Sequence, residues 1–298
     1  MLPTLRQLQY LKLLARHGSF SRAADAAHVT QPTLSAGIAE LERILGSPVV
    51  DRARSGMILT AAGEEAVKRA GDILAAAEDL VQATRSAGQP LAGRFRLGVI
   101  PTIAPYLLPK ALPLLRTRFP KLGLYLREDL THRLIANLRE GGLDAALIAL
   151  PYDTTGLETA HVSDDELVAL LPANHSLVAH RRVTPQELED TGLILLEDGH
   201  CLREHALAAC SLDRPGFGEQ DFAATSLPTL VQMVGSGLGV SLAPAMAVDA
   251  GLVHDAPVSV RPLEADAPSR EIVVVWRAGS SRRAEGELLA EVMREAVG

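Results

Sequence analysis

Near the start of the chain, apolar residues recur every three or four positions. Leu5, Leu8, Leu11, Leu13 and Leu14 keep this rhythm between Thr4 and His17 and predict a first helix, closed by Gly18-Ser19. Ser21 is placed to cap a second, short helix over Arg22–Ala27. After the turn His28-Val29-Thr30, a third helix opens at Gln31-Pro32-Thr33 and runs to about Leu45. Pro32 suits a first helical turn, where its missing N–H costs nothing. Ile38, Leu41 and Leu45 form the buried stripe, leaving Gln31, Thr33 and Ser35 outward near the helix start. Two short helices joined by a tight turn, the second opening with small polar residues, predict a helix-turn-helix. Val49–Arg52 and Met57–Leu59, joined around Ser55-Gly56, read as a two-stranded wing bearing Arg52 and Arg54.

A long Ala-rich helix follows Thr60-Ala61-Ala62-Gly63. Its Ala66, Ala70, Ile73, Ala77, Leu80 and Thr84 alternate by four and three, as in a coiled coil. Gly88-Gln89-Pro90-Leu91-Ala92-Gly93 then reads as a hinge. Beyond residue 93, strands alternate with helices: Phe95–Ile100, Tyr106–Phe119, Gly123–Glu128, Leu134–Leu138 and Asp144–Leu150. A second such run covers Glu166–Leu263, and the strand Glu271–Trp276 and helix Arg283–Ala296 finish the chain. This is the pattern of an open α/β fold with parallel pairing. Ligands in such sheets bind outside the carboxyl ends of strands. Pro101-Thr102 and Gly199-His200-Cys201 each follow a strand and are expected to face one cleft.

Composition narrows the class. Of 298 residues, 47% are hydrophobic and 22% charged, a globular profile with chain enough for two or three domains. The apolar run of a signal peptide is lacking at the N-terminus and no stretch reaches the length of a membrane span, so a cytoplasmic protein without membrane contact is expected. The net charge of -7 does not by itself suggest a nucleic-acid partner, but its distribution does. Residues 1–60 hold seven bases (Arg6, Lys12, Arg16, Arg22, Arg43, Arg52, Arg54) against four acids (Asp25, Glu40, Glu42, Asp51), a balance of +3 that leaves -10 for the remainder. A basic module on an acidic body suits a DNA reader with a separate regulatory part.

The two cysteines, Cys201 and Cys210, are too few for a disulfide framework and lack the close-paired spacing of a zinc site. They are either ordinary core thiols or a redox pair. His200 and Arg203 flank Cys201, and positive charge beside a thiol favours the reactive thiolate. Residues 202–210 read as helix, and nine helical steps separate the two positions by roughly 13 Å along the axis. A disulfide needs Cα atoms within about 7 Å. Either the two never meet, or bonding them unwinds the segment, as a switch requires.

At this point the chain resembles a known family. Ala23-Ala24, His28-Val29-Thr30-Gln31-Pro32-Thr33-Leu34-Ser35, Ile38, Leu41-Glu42 and Leu45-Gly46, at their fixed spacing, are similar to the signature of the LysR-type transcriptional regulators. Val49-Val50-Asp51-Arg52 departs from the family's Leu-Phe-x-Arg, and Ala36-Gly37 stands where many members carry a basic or amide side chain. The resemblance implies residues 1–60 as a winged helix-turn-helix, 61–92 as a dimerising linker and hinge, and 93–298 as a two-lobed, periplasmic-binding-protein-like regulatory domain. Its first lobe would comprise 93–164 and 269–298, its second 165–268. Gln31, Pro32, Thr33 and Ser35 would face the DNA major groove, and Arg52 and Arg54 the phosphates or minor groove. Double-stranded DNA, RNA polymerase and a second or fourth copy of the chain are the implied partners.

Leu196-Glu197-Asp198-Gly199-His200-Cys201-Leu202-Arg203 with Cys210, together with Gly98–Thr102, Pro105–Pro109, Thr131-His132 and Ala224–Leu227, further resembles the peroxide-sensing members of that family. That implies Cys201 as the thiol attacked by hydrogen peroxide and Cys210 as its resolving partner. Thr102, Thr131 and His200 would bind the peroxide, and Arg203 and Arg270 would lower the thiol pKa, with no metal or cofactor. Taken singly, Thr102 and Thr131 could merely cap helices and His200 could be a turn donor. A regulator answering a small metabolite, and a thiol peroxidase, are the competing functions.

Overall fold

A computed structural model describes residues 1–53, 56–85, 89–189, 191–209, 223–264 and 269–298. They form two compact units, residues 1–87 with 137–142 and residues 88–136 with 143–298.

The first unit opens with α1 (Leu5–His17), whose Thr4 and Gln7 form a capping box and whose Gly18 ends the helix in the left-handed region. Helix α2 (Phe20–Ala26) starts earlier than its sequence suggests, with Ser19 and not Ser21 at the N-cap. Helix α3 (Gln31–Leu45) has Thr30 as N-cap, its side chain accepting from the Thr33 amide. Leu11 and Leu14 of α1 and Leu34, Ile38 and Leu41 of α3 are buried together with Ala23 and Val49. Each such leucine contributes about 1.5–3 kcal/mol. Leu45, expected in this stripe, is exposed instead. Strands β1 (Val50–Ala53) and β2 (Gly56–Leu59) pair antiparallel as the wing, and α4 (Ala61–Arg85) follows. Gly37 has a structural cause. A Cβ there would lie 2.7 Å from the Tyr10 ring, so this position faces the helix core and could not carry a DNA-reading side chain.

In the second unit, β3 (Gly93–Val99), α5 (Ala104–Arg118), β4 (Leu122–Glu128), α6 (Thr131–Arg139), β5 (Ala145–Leu150) and β6 (Leu157–Asp165) build most of one lobe. The second lobe holds β7 (Leu167–Pro172), α7 (Pro185–Glu189), β8 (Leu195–Leu196), α8 (Cys201–Ala209), β9 (Ala223–Ala224), α9 (Leu227–Gly235), β10 (Ser241–Pro244), α10 (Ala245–Asp249) and β11 (Val258–Pro262). Strand β12 (Arg270–Arg277) and helix α11 (Arg283–Val297) then return to the first lobe, whose sheet has the order β4-β3-β5-β12-β6. Strand β3 pairs parallel with β4 and β5, whereas β12 runs antiparallel to β5 and β6.

The expectation of parallel pairing holds only in part: in the second lobe β8 and β9 pair parallel, whereas the three-stranded sheet β10-β7-β11 is antiparallel. Short apolar runs do not encode strand direction, which the closing connections set. Strand β5 is buried along nearly its whole length between β3 and β12, as its unbroken Ala-Ala-Leu-Ile-Ala run requires. The second lobe has its own core around Leu170, Leu195, Leu202, Val231 and Leu242, into which Tyr106 of α5 reaches. The chain crosses between lobes where β6 ends at Asp165 and where β12 begins at Arg270, and these two residues face each other in the register.

Candidate functional site

Three turns meet beside that crossing. The segment after β3 supplies Ile100, Pro101 and Thr102, the start of α6 supplies Leu130 and Thr131, and the start of α8 supplies Gly199, His200 and Cys201. Together they line one recess with an empty volume of about 160 Å³, part of it open to solvent. Gly199 makes the turn possible. Its φ of +94° is left-handed, and a Cβ there would press on Leu130 at 3.1 Å and His132 at 3.4 Å.

Cys201 is the first residue of α8, 9% exposed, with a free thiol. Burial pushes its pKa up; the Arg270 charge, the Thr131 hydroxyl and the backbone N–H groups of Leu202 and Cys201 pull the other way. Burial outweighs them and holds the thiol above its ordinary pKa, with four groups already arranged to favour the thiolate.

Neither threonine caps a helix. Thr102 is buried and its Oγ1 accepts from Arg270 Nη1 at 2.8 Å, while α5 has Ile103 at its N-cap. Thr131 is buried, and its Oγ1, which acts on the Cys201 thiol, has no partner at full hydrogen-bonding geometry among the described residues. A hydroxyl so loosely engaged retains hydrogen-bonding capacity that a small ligand can use, since buried polar groups are normally paired. Burial lowers the pKa of His200 against the opposing pull of Glu197, which disfavours the charged imidazole beside Cys201.

Arg203 is turned to another task. Its Nη1 donates to the Leu196 carbonyl at 3.1 Å and its Nε lies 2.9 Å from Asp198 Oδ1, tying down the turn that precedes Cys201. The guanidinium whose charge acts on the sulfur is that of Arg270, fully buried and more than sixty residues away in sequence. Cys210 and Arg54 lie outside the described residues, as does the loop 213–218; α8 itself runs unbroken to Ala209.

Two residues of this region were not singled out from the sequence. Asp165 is buried and paired with Arg270 at 2.7 Å; its position in Ser163-Asp164-Asp165-Glu166 looks like a solvated charge run. His205 sits one helical turn after Cys201, and neither of its buried ring nitrogens has a hydrogen-bond partner among the described residues. Burial, and after it the Arg270 charge, lowers its pKa to about 4. The i,i+4 spacing from Cys201 was the available signal for it.

In the first unit, Gln31, Pro32 and Thr33 are exposed at the start of α3 and Ser35 is half-buried beside them. Arg52 lies on β1 of the wing. These residues are grouped on one helix start and its neighbouring hairpin, as a helix-turn-helix requires.

Comparison with known proteins agrees with this geometry. Residues 5–64 match the bacterial regulatory helix-turn-helix protein, lysR family, and residues 88–298 match the LysR substrate binding domain. The chain belongs to the LysR family of DNA-binding transcriptional regulators. It is 39% identical to the HTH-type transcriptional regulator EstR of Acinetobacter baylyi, over 98% of this chain and 97% of that protein. It is 38% identical to the DNA-binding transcriptional dual regulator OxyR of Escherichia coli K12, over 97% and 94%. Among solved structures, a full-length cysteine-to-aspartate variant of OxyR from Pseudomonas aeruginosa superposes with a TM-score of 0.77 at 37% identity, covering 98% of both chains. A hydrogen-peroxide-bound cysteine-to-serine mutant of Corynebacterium glutamicum OxyR gives 0.68 at 31% identity, covering 99% and 93%.

Proposed function

We propose that this chain is a peroxide-responsive transcriptional regulator of the OxyR kind. The observation that carries the reading is the buried Cys201 thiol at a helix start, in a recess that it shares with Thr102, Thr131 and His200. The recess is far smaller than the clefts of about 300–1,000 Å³ that usually hold drug-sized ligands, so a small molecule suits it better than a metabolite-sized one.

Peroxide enters the recess and is held by Thr102, Thr131 and His200. The Cys201 thiol loses its proton, and the thiolate attacks the nearer peroxide oxygen. A sulfur–oxygen bond forms as the oxygen–oxygen bond breaks; the sulfur is oxidised to a sulfenic acid and the departing oxygen leaves as water, having taken up the thiol's proton. The Cys210 thiol then attacks that sulfur, forming the disulfide and releasing a second water. Since α8 starts at Cys201 and runs to the residue before Cys210, joining the two unwinds α8. The released helix alters how the DNA-binding units, paired through α4, engage their operator. Ile73 and Leu80, both exposed on α4, supply the apolar seam for a second copy. Gln31, Pro32, Thr33 and Ser35 read the major groove, Arg52 and Arg54 hold the backbone, and the protein acts in the cytoplasm on RNA polymerase as a dimer or tetramer.

A non-reducing peptide map before and after micromolar peroxide tests this. The expected result is a new Cys201–Cys210 peptide, a change in promoter output, and loss of both in Cys201→Ser with DNA binding retained. The second reading, a metabolite-responsive regulator with incidental thiols, draws on the similarity to EstR. A peptide map unchanged by peroxide would establish it over the first.

A further inference from the structure

Taking Cys201 as the peroxide-reacting thiol, as proposed above, the geometry points to Asp165 as a positioning residue for that reaction, acting through Arg270 on the Thr102 hydroxyl. Arg270 is fully buried, and its fork is divided between two partners. Nε and Nη2 donate to Asp165 Oδ2 at 3.0 and 2.7 Å. Nη1 donates to Thr102 Oγ1 at 2.8 Å and Nη2 to the Thr102 carbonyl at 3.1 Å. Asp165 is itself pinned, because its Oδ1 accepts from the Met246 amide at 2.9 Å. No rotation of the guanidinium leaves both ends satisfied, so Asp165 fixes the direction in which Arg270 points.

The consequence falls on Thr102. A hydroxyl has one hydrogen to give and two lone pairs to receive with. Arg270 occupies an acceptor position of Oγ1, and no acceptor among the described residues takes the hydrogen of Thr102, a residue that lines the recess. That hydrogen is then available to the peroxide oxygen that departs with negative charge, where a fixed donor accelerates the step.

Asp165 has a second effect. The Arg270 charge reaches three titratable side chains, Cys201, His205 and Tyr106. The paired carboxylate offsets that charge, so the thiol is less acidic than beside a lone guanidinium. Positioning and charge balance can be separated by experiment, because they move two rates in opposite directions.

The test uses the full chain with Cys210→Ser, so that Cys201 is the only thiol and oxidation stops at the sulfenic acid. Alkylation by iodoacetamide across pH reports the thiolate alone; oxidation by hydrogen peroxide also needs the oriented hydroxyl. In Asp165→Asn, alkylation near pH 7 should rise about tenfold, the neighbouring positive charge being unbalanced. The peroxide rate per thiolate should fall by about tenfold or more, because the donor is no longer held in place. Equal changes in both rates, or a per-thiolate peroxide rate within about twofold of the parent, overturn the assignment.

Should Asp165→Asn fail to fold, Arg270→Lys decides, since lysine keeps the charge and loses the fork. Its alkylation profile should stay near the parent's while peroxide oxidation per thiolate drops about tenfold; an unchanged peroxide rate overturns the assignment. A parent chain whose Cys201 alkylates normally but resists peroxide overturns the peroxide reading first, and the Asp165 assignment with it. That failure is distinguishable because it precedes any substitution at Asp165.

Discussion

Helices α3 and α8 both begin with residues to which a function is proposed above, and they hold them under opposite conditions. Gln31, Pro32 and Thr33 of α3 stand in solvent, supported by local bonds such as the Thr30 cap. Cys201 of α8 is buried, and the groups that act on it come from β12 and α6 as well as from α8 itself. A surface reader needs only its own helix and a scaffold beneath it. A buried sensor needs partners from across the fold, and each partner brings its own cost of burial. The two helices should therefore fail differently when perturbed.

The largest effect is expected at the sensor. Arg270→Met leaves the buried Asp165 carboxylate without its guanidinium, and breaking such a pair typically costs about 3–5 kcal/mol. Urea unfolding of the regulatory unit should show a loss of this size. No exposed residue of α3 should approach it, and a loss below about 1 kcal/mol would mean that the pair sits in a wetter place than its burial indicates.

Next comes acid. His205 has a folded pKa of about 4 against an ordinary 6.5, because burial favours the neutral ring. The docked state of α8 therefore has its full stability above pH 6.5 and loses it as pH falls toward about 4, since an opened helix lets the ring take up a proton. Between pH 7 and 5, opening of residues 202–209 should increase by about tenfold or more, read as hydrogen exchange corrected for intrinsic rates. His205→Gln should flatten this dependence. A pH response that survives the substitution places the titrating group elsewhere, and α3 should show no such dependence.

On the reader side, Gln31→Ala should weaken cognate operator binding by about 1–3 kcal/mol relative to random DNA while leaving the unfolding midpoint unchanged. Equal loss on both DNAs, seen by gel shift, removes α3 as the base-reading element. The smallest effect belongs to the wing. Arg52→Ala and Arg54→Ala should each weaken all sequences alike and reduce the salt slope by about one. A sequence-dependent loss there would move part of the reading from α3 to the wing.

The same contrast explains what the sequence disclosed. Helices α1 and α3 and the wing were legible because their stripes, caps and turn residues are local. The approach of Thr102, Thr131 and Cys201 was legible through the rule for strand ends together with a family resemblance. Three features were not. Ser19, and not Ser21, stands at the N-cap of α2 with an extended backbone and no side-chain cap bond, a boundary that neighbouring serines do not announce. Arg203 sits two residues from Cys201 yet bonds Leu196 and Asp198, so nearness in sequence misdirected the assignment of charge. Asp165 and Arg270 are 105 positions apart and meet only because β6 and β12 are neighbours in the sheet.

Burial of Cys201 has one more consequence. A buried thiol presents little surface to bulky electrophiles and large disulfides that would react with an exposed thiolate. On the function proposed above, that makes a filter with a threshold: background chemistry would leave the switch silent, and a small oxidant would be needed to trip it.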